Sequence, residues 1–239
     1  QLTGDWKTSL VIFSLASIFF TAAWLLVKLE PEEDSPKTTE TKEDSYSYLD
    51  GLKDKFNWIY GLTYSGLLAF YICLFTFYPK AGISQSKWVI GFGIIGTLAG
   101  IIYSKKIQQR IPVIRWSGAI MVLTIIGVSF STTVWLQTLS AVVLGFFIFF
   151  PITALVSIPH ELPKMTGQRI TVVFSLFYSI SYLFSTIILW LFGKLVDMNS
   201  GNYTASFVLI SMVSITFFVG SFFLPETGKK VAEEGLCAE

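Results

Sequence analysis

Seven stretches of this chain run for roughly the length of a bilayer crossing without one Asp, Glu, Lys, Arg or His. They are Thr8–Val27, Phe56–Tyr78, Trp88–Ser104, Trp116–Ser131, Thr133–Ser157, Ile170–Phe192 and Ser206–Leu224. An α-helical crossing takes about 20 mainly apolar residues, with a working range of roughly 17–25. The fourth stretch is short, but Arg115 at its edge can snorkel to the headgroups and extend it. In hydrocarbon every backbone N–H and C=O must be satisfied within its own segment, so stretches of this kind are helices. Composition agrees: of 239 residues, 53% are hydrophobic and 14% charged, against about 25% charged in a soluble domain. The expected fold class is all-α and integral to the membrane, with seven transmembrane helices. The first stretch does not read as a removed secretory signal, because no small-x-small cleavage site follows it and the next segment is strongly acidic.

The same inventory excludes several kinds of chemistry. One histidine (His160) and two cysteines (Cys73, Cys237) do not supply the four N/S ligands of a usual zinc site. There is no C-x-x-C pair, and Cys73 lies in an apolar run, so no structural disulfide is expected. A net charge of +1 gives no electrostatic basis for binding nucleic acid. Catalysis within the bilayer needs polarised nucleophiles or paired acids; no span contains an acid and His160 is the only imidazole, so no enzyme, metal or cofactor is expected. Beside Glu161 at a span boundary, His160 reads as an ordinary loop residue.

Lysine and arginine are distributed unevenly. The segments 28–55, 105–115, 158–169 and 225–239 hold 13 of the 17, while the opposite side holds only Lys7, Lys80, Lys87 and Lys194. The positive-inside rule then puts the N-terminus outside and the C-terminus in the cytoplasm, as in a multi-pass protein of the plasma membrane. Trp58, Trp88, Trp116 and Trp190 stand near span ends, where interfacial anchors belong. Lys28–Lys55 carries nine acidic and five basic residues and reads as a solvated, largely disordered cytoplasmic linker. It separates one span from a group of six.

Several motifs carry a resemblance to a known family. Gly100-Ile-Ile-Tyr-Ser104-Lys105-Lys106-Ile-Gln-Gln-Arg110 has the first glycine and the basic cluster of the loop motif found between the second and third helices of a facilitator half. Ser104 replaces the motif's acid, and its second glycine is missing. Gly193-Lys-Leu-Val-Asp197 stands at the equivalent place in the second triplet of helices, and Phe222-Phe-Leu-Pro225-Glu226-Thr227-Gly228 resembles the Pro-Glu-Thr ending of many halves. The chain as a whole thus resembles part of a major facilitator superfamily transporter. Pro159-His-Glu161-Leu-Pro163 with Gly167-Gln-Arg169 looks like its cyanate and nitroimidazole branch. Such transporters are built from inverted repeats. The resemblance implies residues 1–27 as the last helix of an N-terminal half, 28–55 as the central linker, 56–224 as a C-terminal half of two inverted three-helix repeats, and 225–239 as a cytoplasmic tail. It implies transport of a small solute by alternating access, secondary active or facilitative, completed by the missing N-terminal half.

Polar residues inside the spans mark candidate sites. At 100° per residue, Thr171, Ser175, Tyr178, Tyr182 and Ser185 fall within an arc of about 80°. Asn57, Tyr60, Tyr64 and Tyr71 likewise share one side of the second span. Hydroxyls facing lipid lack external partners, so these stripes face either a wet cavity or a neighbouring helix. The expected substrate cavity comprises Tyr60, Tyr64, Tyr71, Gln137, Ser175, Tyr178 and Tyr182, a set suited to neutral, aromatic or amphipathic solutes. Gly93, Gly96 and Gly100 read as a small-residue packing stripe, and Gly145, Pro151 and Pro159 as marks of a bent helix. By the family resemblance, Lys105, Lys106, Arg110 and Arg169 would face Glu161 and Glu226 as a cytoplasmic gate. Seven spans with an external N-terminus also describe a membrane receptor. That alternative lacks an acid-Arg-Tyr triplet after the third span and an Asn-Pro-x-x-Tyr in the last. The topology has a direct check: a single cysteine at Gln109 should resist an impermeant maleimide in intact cells and react after permeabilisation, whereas strong labelling of intact cells would reverse the orientation.

Overall fold

Backbone satisfaction within each apolar run produces helices, and charge, proline and capping set their ends. The computed structural model describes residues 6–25, 46–163 and 165–228, and no strand occurs among them. The chain forms two compact units, Gln1–Ser45 and Tyr46–Glu239. The first contains α1 (Trp6–Leu25). The second contains α2 (Tyr48–Lys53), α3 (Lys55–Thr76), α4 (Ser86–Lys106), α5 (Ile111–Phe130), α6 (Val134–Phe149), α7 (Ile152–Glu161), α8 (Gly167–Met198) and α9 (Thr204–Gly220).

Five of these segments are long and apolar enough to cross a membrane: α3, α4, α5, the α6–α7 stretch Val134–Glu161, and α8. Helix α9 is apolar but shorter. The protein is therefore all-helical, with several helices suited to a multi-pass membrane protein.

The helix ends differ from the sequence expectation in instructive ways. Helix α5 begins at Ile111, ahead of Trp116, because Pro112 fits the first turn, where its missing N–H costs nothing. The expected fifth span breaks at Phe150–Pro151 into α6 and α7. Helix α8 has 32 residues; at about 1.5 Å per residue it is roughly 48 Å long, well beyond a hydrocarbon core of about 30 Å. The linker requires a correction. Residues 28–45 lie outside the described residues, but its last part is not disordered: α2 forms there, and the second compact unit starts at Tyr46. The tail beyond Gly228 also lies outside the described residues.

Helix α3 packs against α8 and α9, α4 against α6 and α7, and α5 against α6 and α9. Large aromatics fill the interior, among them Tyr60, Phe70, Tyr78, Phe177, Phe192 and Phe217. Where backbones meet, only glycine fits. A Cβ on Gly96 would collide with the Phe146 carbonyl oxygen, and one on Gly100 with that of Phe150. The glycine stripe on α4 is thus the surface that lets α6 approach, as van der Waals packing between membrane helices requires. Gly145 serves the same contact from the other side, against Val89; the bend itself lies at Pro151.

Candidate functional site

The polar stripes divide into side chains bound to structure and side chains left open. Tyr60 is fully buried and donates its hydroxyl to the Leu155 carbonyl at 3.0 Å. Pro159, inside α7, has no N–H to give the carbonyl four residues before it. That carbonyl belongs to Leu155, so Tyr60 supplies the hydrogen bond that Pro159 withholds. Asn57, at the base of the same stripe, donates to the Gly51 carbonyl at 2.8 Å and holds α2. On α8, Ser181 donates to the Gly61 carbonyl and Ser185 to that of Ser65, at 2.9 and 3.0 Å. These hydroxyls join α8 to α3.

The remaining tyrosines have a different setting. Tyr64 and Tyr71 are half-buried, while Tyr178 and Tyr182 are 46% and 54% exposed. Tyr64 stacks on Phe177 with centroids 5.0 Å apart, and Tyr178 meets the same ring edge-on at 5.0 Å. Tyr71 packs edge-on against Phe75 and Phe149. The result is an aromatic wall carrying phenol groups along α3 and α8. Ser175, half-buried on α8, accepts a hydrogen bond from the Tyr48 hydroxyl of α2 at 2.9 Å. Gln137 stands apart from this wall: its amide donates to the Val128 and Ser131 carbonyls, closing the turn between α5 and α6.

The expected gate residues also separate. Arg110 forms a two-pronged pair with Glu161, at 2.6 Å from Nη2 and 3.0 Å from Nε to Oε1, and its Nη1 donates to the carbonyls of Ser104 and Ile107. Thr227 donates to the other Glu161 oxygen at 2.7 Å. Glu226 accepts from the backbone N–H of Arg110 and Ile111 at 2.6 and 3.1 Å, a carboxylate on the positive end of α5. One cluster thus ties the start of α5, the end of α7 and the segment after α9, all within the second unit. Lys105 and Lys106 are exposed and make no ion pair among the described residues. Arg169 lies elsewhere, 3.8 Å from Asp54 and over the Tyr46 ring at 4.5 Å.

Helix α2 is the part of the site that the sequence reading missed. Ser47 and Asp50 form a reciprocal capping box, and the Ser47 hydroxyl, donating to the Asp50 carboxylate, holds that carboxyl below its usual range. Gly51 is buried against Val172 and Leu176 of α8. The signal was present, since Ser-x-x-Asp before an apolar residue is a helix-start pattern, but the surrounding charge concealed it. No group of three or more His, Cys, Asp or Glu side chains that could hold a metal occurs among the described residues. No protein-family model, curated protein or solved structure matches this chain.

Two substitutions follow from these bonds. Tyr60→Phe should destabilise the detergent-solubilised protein by about 1 kcal/mol, the scale of one neutral hydrogen bond. The same change should be nearly neutral alongside Pro159→Ala, which restores a donor for Leu155. A double-mutant cycle on unfolding midpoints measures this coupling. Glu161→Gln strands a guanidinium whose side chain is only 11% exposed, and should cost roughly 2–3 kcal/mol, at or under the low end of the range for a fully buried pair. Lys105→Gln, measured the same way, should stay within about 0.5 kcal/mol of the parent.

Proposed function

We propose that this chain is part of a facilitator-type secondary transporter, with α1 as a span of one half and α3 to α9 as the six spans of the other. The observation that carries the reading is a symmetry in the packing partners. Exchanging the triplet α3, α4, α5 with the triplet α6–α7, α8, α9 turns the α3–α8 contact into α6–α4. It turns α3–α9 into α6–α5 and leaves α5–α9 unchanged. The closest approaches follow the same exchange: Gly127 of α5 meets Ser140 of α6, and Gly220 of α9 meets Thr63 of α3. Two inverted three-helix repeats would pack in this way.

On this reading the chain has seven spans, with its N-terminus outside and its C-terminus in the cytoplasm of a cell whose plasma membrane it crosses. The open phenols of Tyr64, Tyr71, Tyr178 and Tyr182 line the solute path, and a second transporter half closes it. Tyr60 and Gln137 leave the cavity set, because their polar groups are committed to backbone carbonyls. The Arg110–Glu161 cluster acts inside one half rather than across two. It locks the cytoplasmic ends of α5, α7 and α9 so that the six helices rock as one body, and leaves Lys105 and Lys106 to face the other half.

Cysteine accessibility tests the cavity. Tyr182→Cys on α8 should react with a water-soluble maleimide in membranes, because the phenol stripe is wet. Ile94→Cys, on the exposed apolar face of α4, should not react. Equal inertness of the two positions would place the phenols against lipid or another helix and remove the transport reading.

A further inference from the structure

Between α3 and α9 the surface opens into a groove of about 340 Å³, lined by Ile59, Leu62 and Thr63 on one side and Met212, Ile215 and Thr216 on the other. Its walls are dry. The Thr63 hydroxyl donates to the Ile59 carbonyl at 2.7 Å and the Thr216 hydroxyl to the Val213 carbonyl at 2.8 Å. Both threonine hydroxyls are therefore spent on their own helices. From Met212 to Gly220 the groove follows α9 for about 12 Å at 1.5 Å per residue. It is lined along two helices and reaches Phe223, just past the end of α9.

The mouth differs from the walls. Lys55 lies four residues before Ile59 on α3, hence on the same face and one turn closer to the membrane surface. It is exposed and makes no ion pair among the described residues. Trp58 stands beside it, its indole N–H fixed to the Leu52 carbonyl at 2.8 Å; an indole with a held polar end is an interfacial marker. Arg115 adds a second cation at the same end of α9. Its guanidinium lies 4.0 Å from the ring centroid of Phe222, next to the groove's Phe223, and its Nε is buried without a hydrogen-bond partner.

We propose that this groove holds one acyl chain of a phospholipid with an anionic headgroup, drawn from the leaflet at which α3 begins. The chain lies along the dry wall, and the phosphate-bearing head is held at the mouth by Lys55. A dry groove open to the side suits a hydrocarbon chain, and a cation at its interfacial end selects negative charge from among the lipids that could supply one. The inference rests on the membrane reading above but not on transport or its direction.

The test is native mass spectrometry of the full chain released from vesicles of phosphatidylcholine and phosphatidylglycerol in equal amounts. One phosphatidylglycerol should remain bound per chain. Lys55→Gln should reduce that preference roughly fivefold, the worth of one basic residue near an anionic surface. Met212→Trp should abolish lipid retention by filling the groove. Met212 is 64% exposed, so the protein should still fold, and Ile215→Phe is the smaller filler if it does not. A bare chain, equal retention of the two lipids, or retention unaffected by either filler would overturn the proposal. So would a lipid-free two-chain species, which would give the groove to a second copy, or a disulfide between Ile215→Cys and a cysteine on α1, which would give it to that helix. Failure of the chain to enter vesicles would overturn the membrane reading itself.

Discussion

A backbone carbonyl without a donor is a fault that a membrane helix must repair from within, and the joint between α3 and α7 is built around one such repair. No water is at hand in hydrocarbon to repair such a fault. Pro159 creates one at Leu155, and a tyrosine from another helix repairs it. That repair needs Tyr60 to be fully buried, with its ring between Phe56 and Phe177. The aromatic wall is therefore anchored at its base by a hydrogen bond whose cause is a proline on a different helix. The same logic explains why Ser181 and Ser185 point at carbonyls of α3.

Much of the fold was legible in the sequence because uncharged runs and helices have the same physical cause. The limits were less so, for identifiable reasons. Helix α5 begins in a basic stretch, and its start is set by Pro112 together with Glu226, a partner remote in the chain. Helix α8 runs past its uncharged stretch, Ile170–Phe192, at both ends, where apolar content is no guide. Helix α2 has six residues, too few for any periodicity to register, and gains its stability from the buried seat of Gly51 and from Tyr48.

The candidate site was half legible. Helical periodicity groups the tyrosines by face, but a face does not say how far each residue stands from a neighbour. Tyr60 and Tyr64 are one turn apart on α3, yet one is committed to Leu155 and the other, on a half-buried ring, makes no side-chain hydrogen bond among the described residues. The charges show the same limit. Lys105, Lys106 and Arg110 are close in sequence, but only Arg110 is mostly buried against Glu161, because the chain turns there into α5. Sequence proximity identified the cluster; only the fold separated its paired member from its exposed ones.

These two fixed points have a consequence for motion. Helix α7 is held near its middle by Tyr60 and at its end by Arg110, whereas at its start it joins α6 through the break at Pro151, where the ladder of helix hydrogen bonds is interrupted. A helix pinned beyond a break moves with whatever pins it. On the proposed reading α7 therefore travels with α3 and α5, and any relative movement within the half concentrates at Phe150–Pro151. The α4 glycines sit opposite that same point, with Gly100 against the Phe150 carbonyl. A contact of backbone on backbone has little play, because protein interiors are too closely packed to deform continuously. The break is thus held by α4 on one side and by the pinned α7 on the other. That arrangement favours a six-helix half that turns as a body over one that flexes.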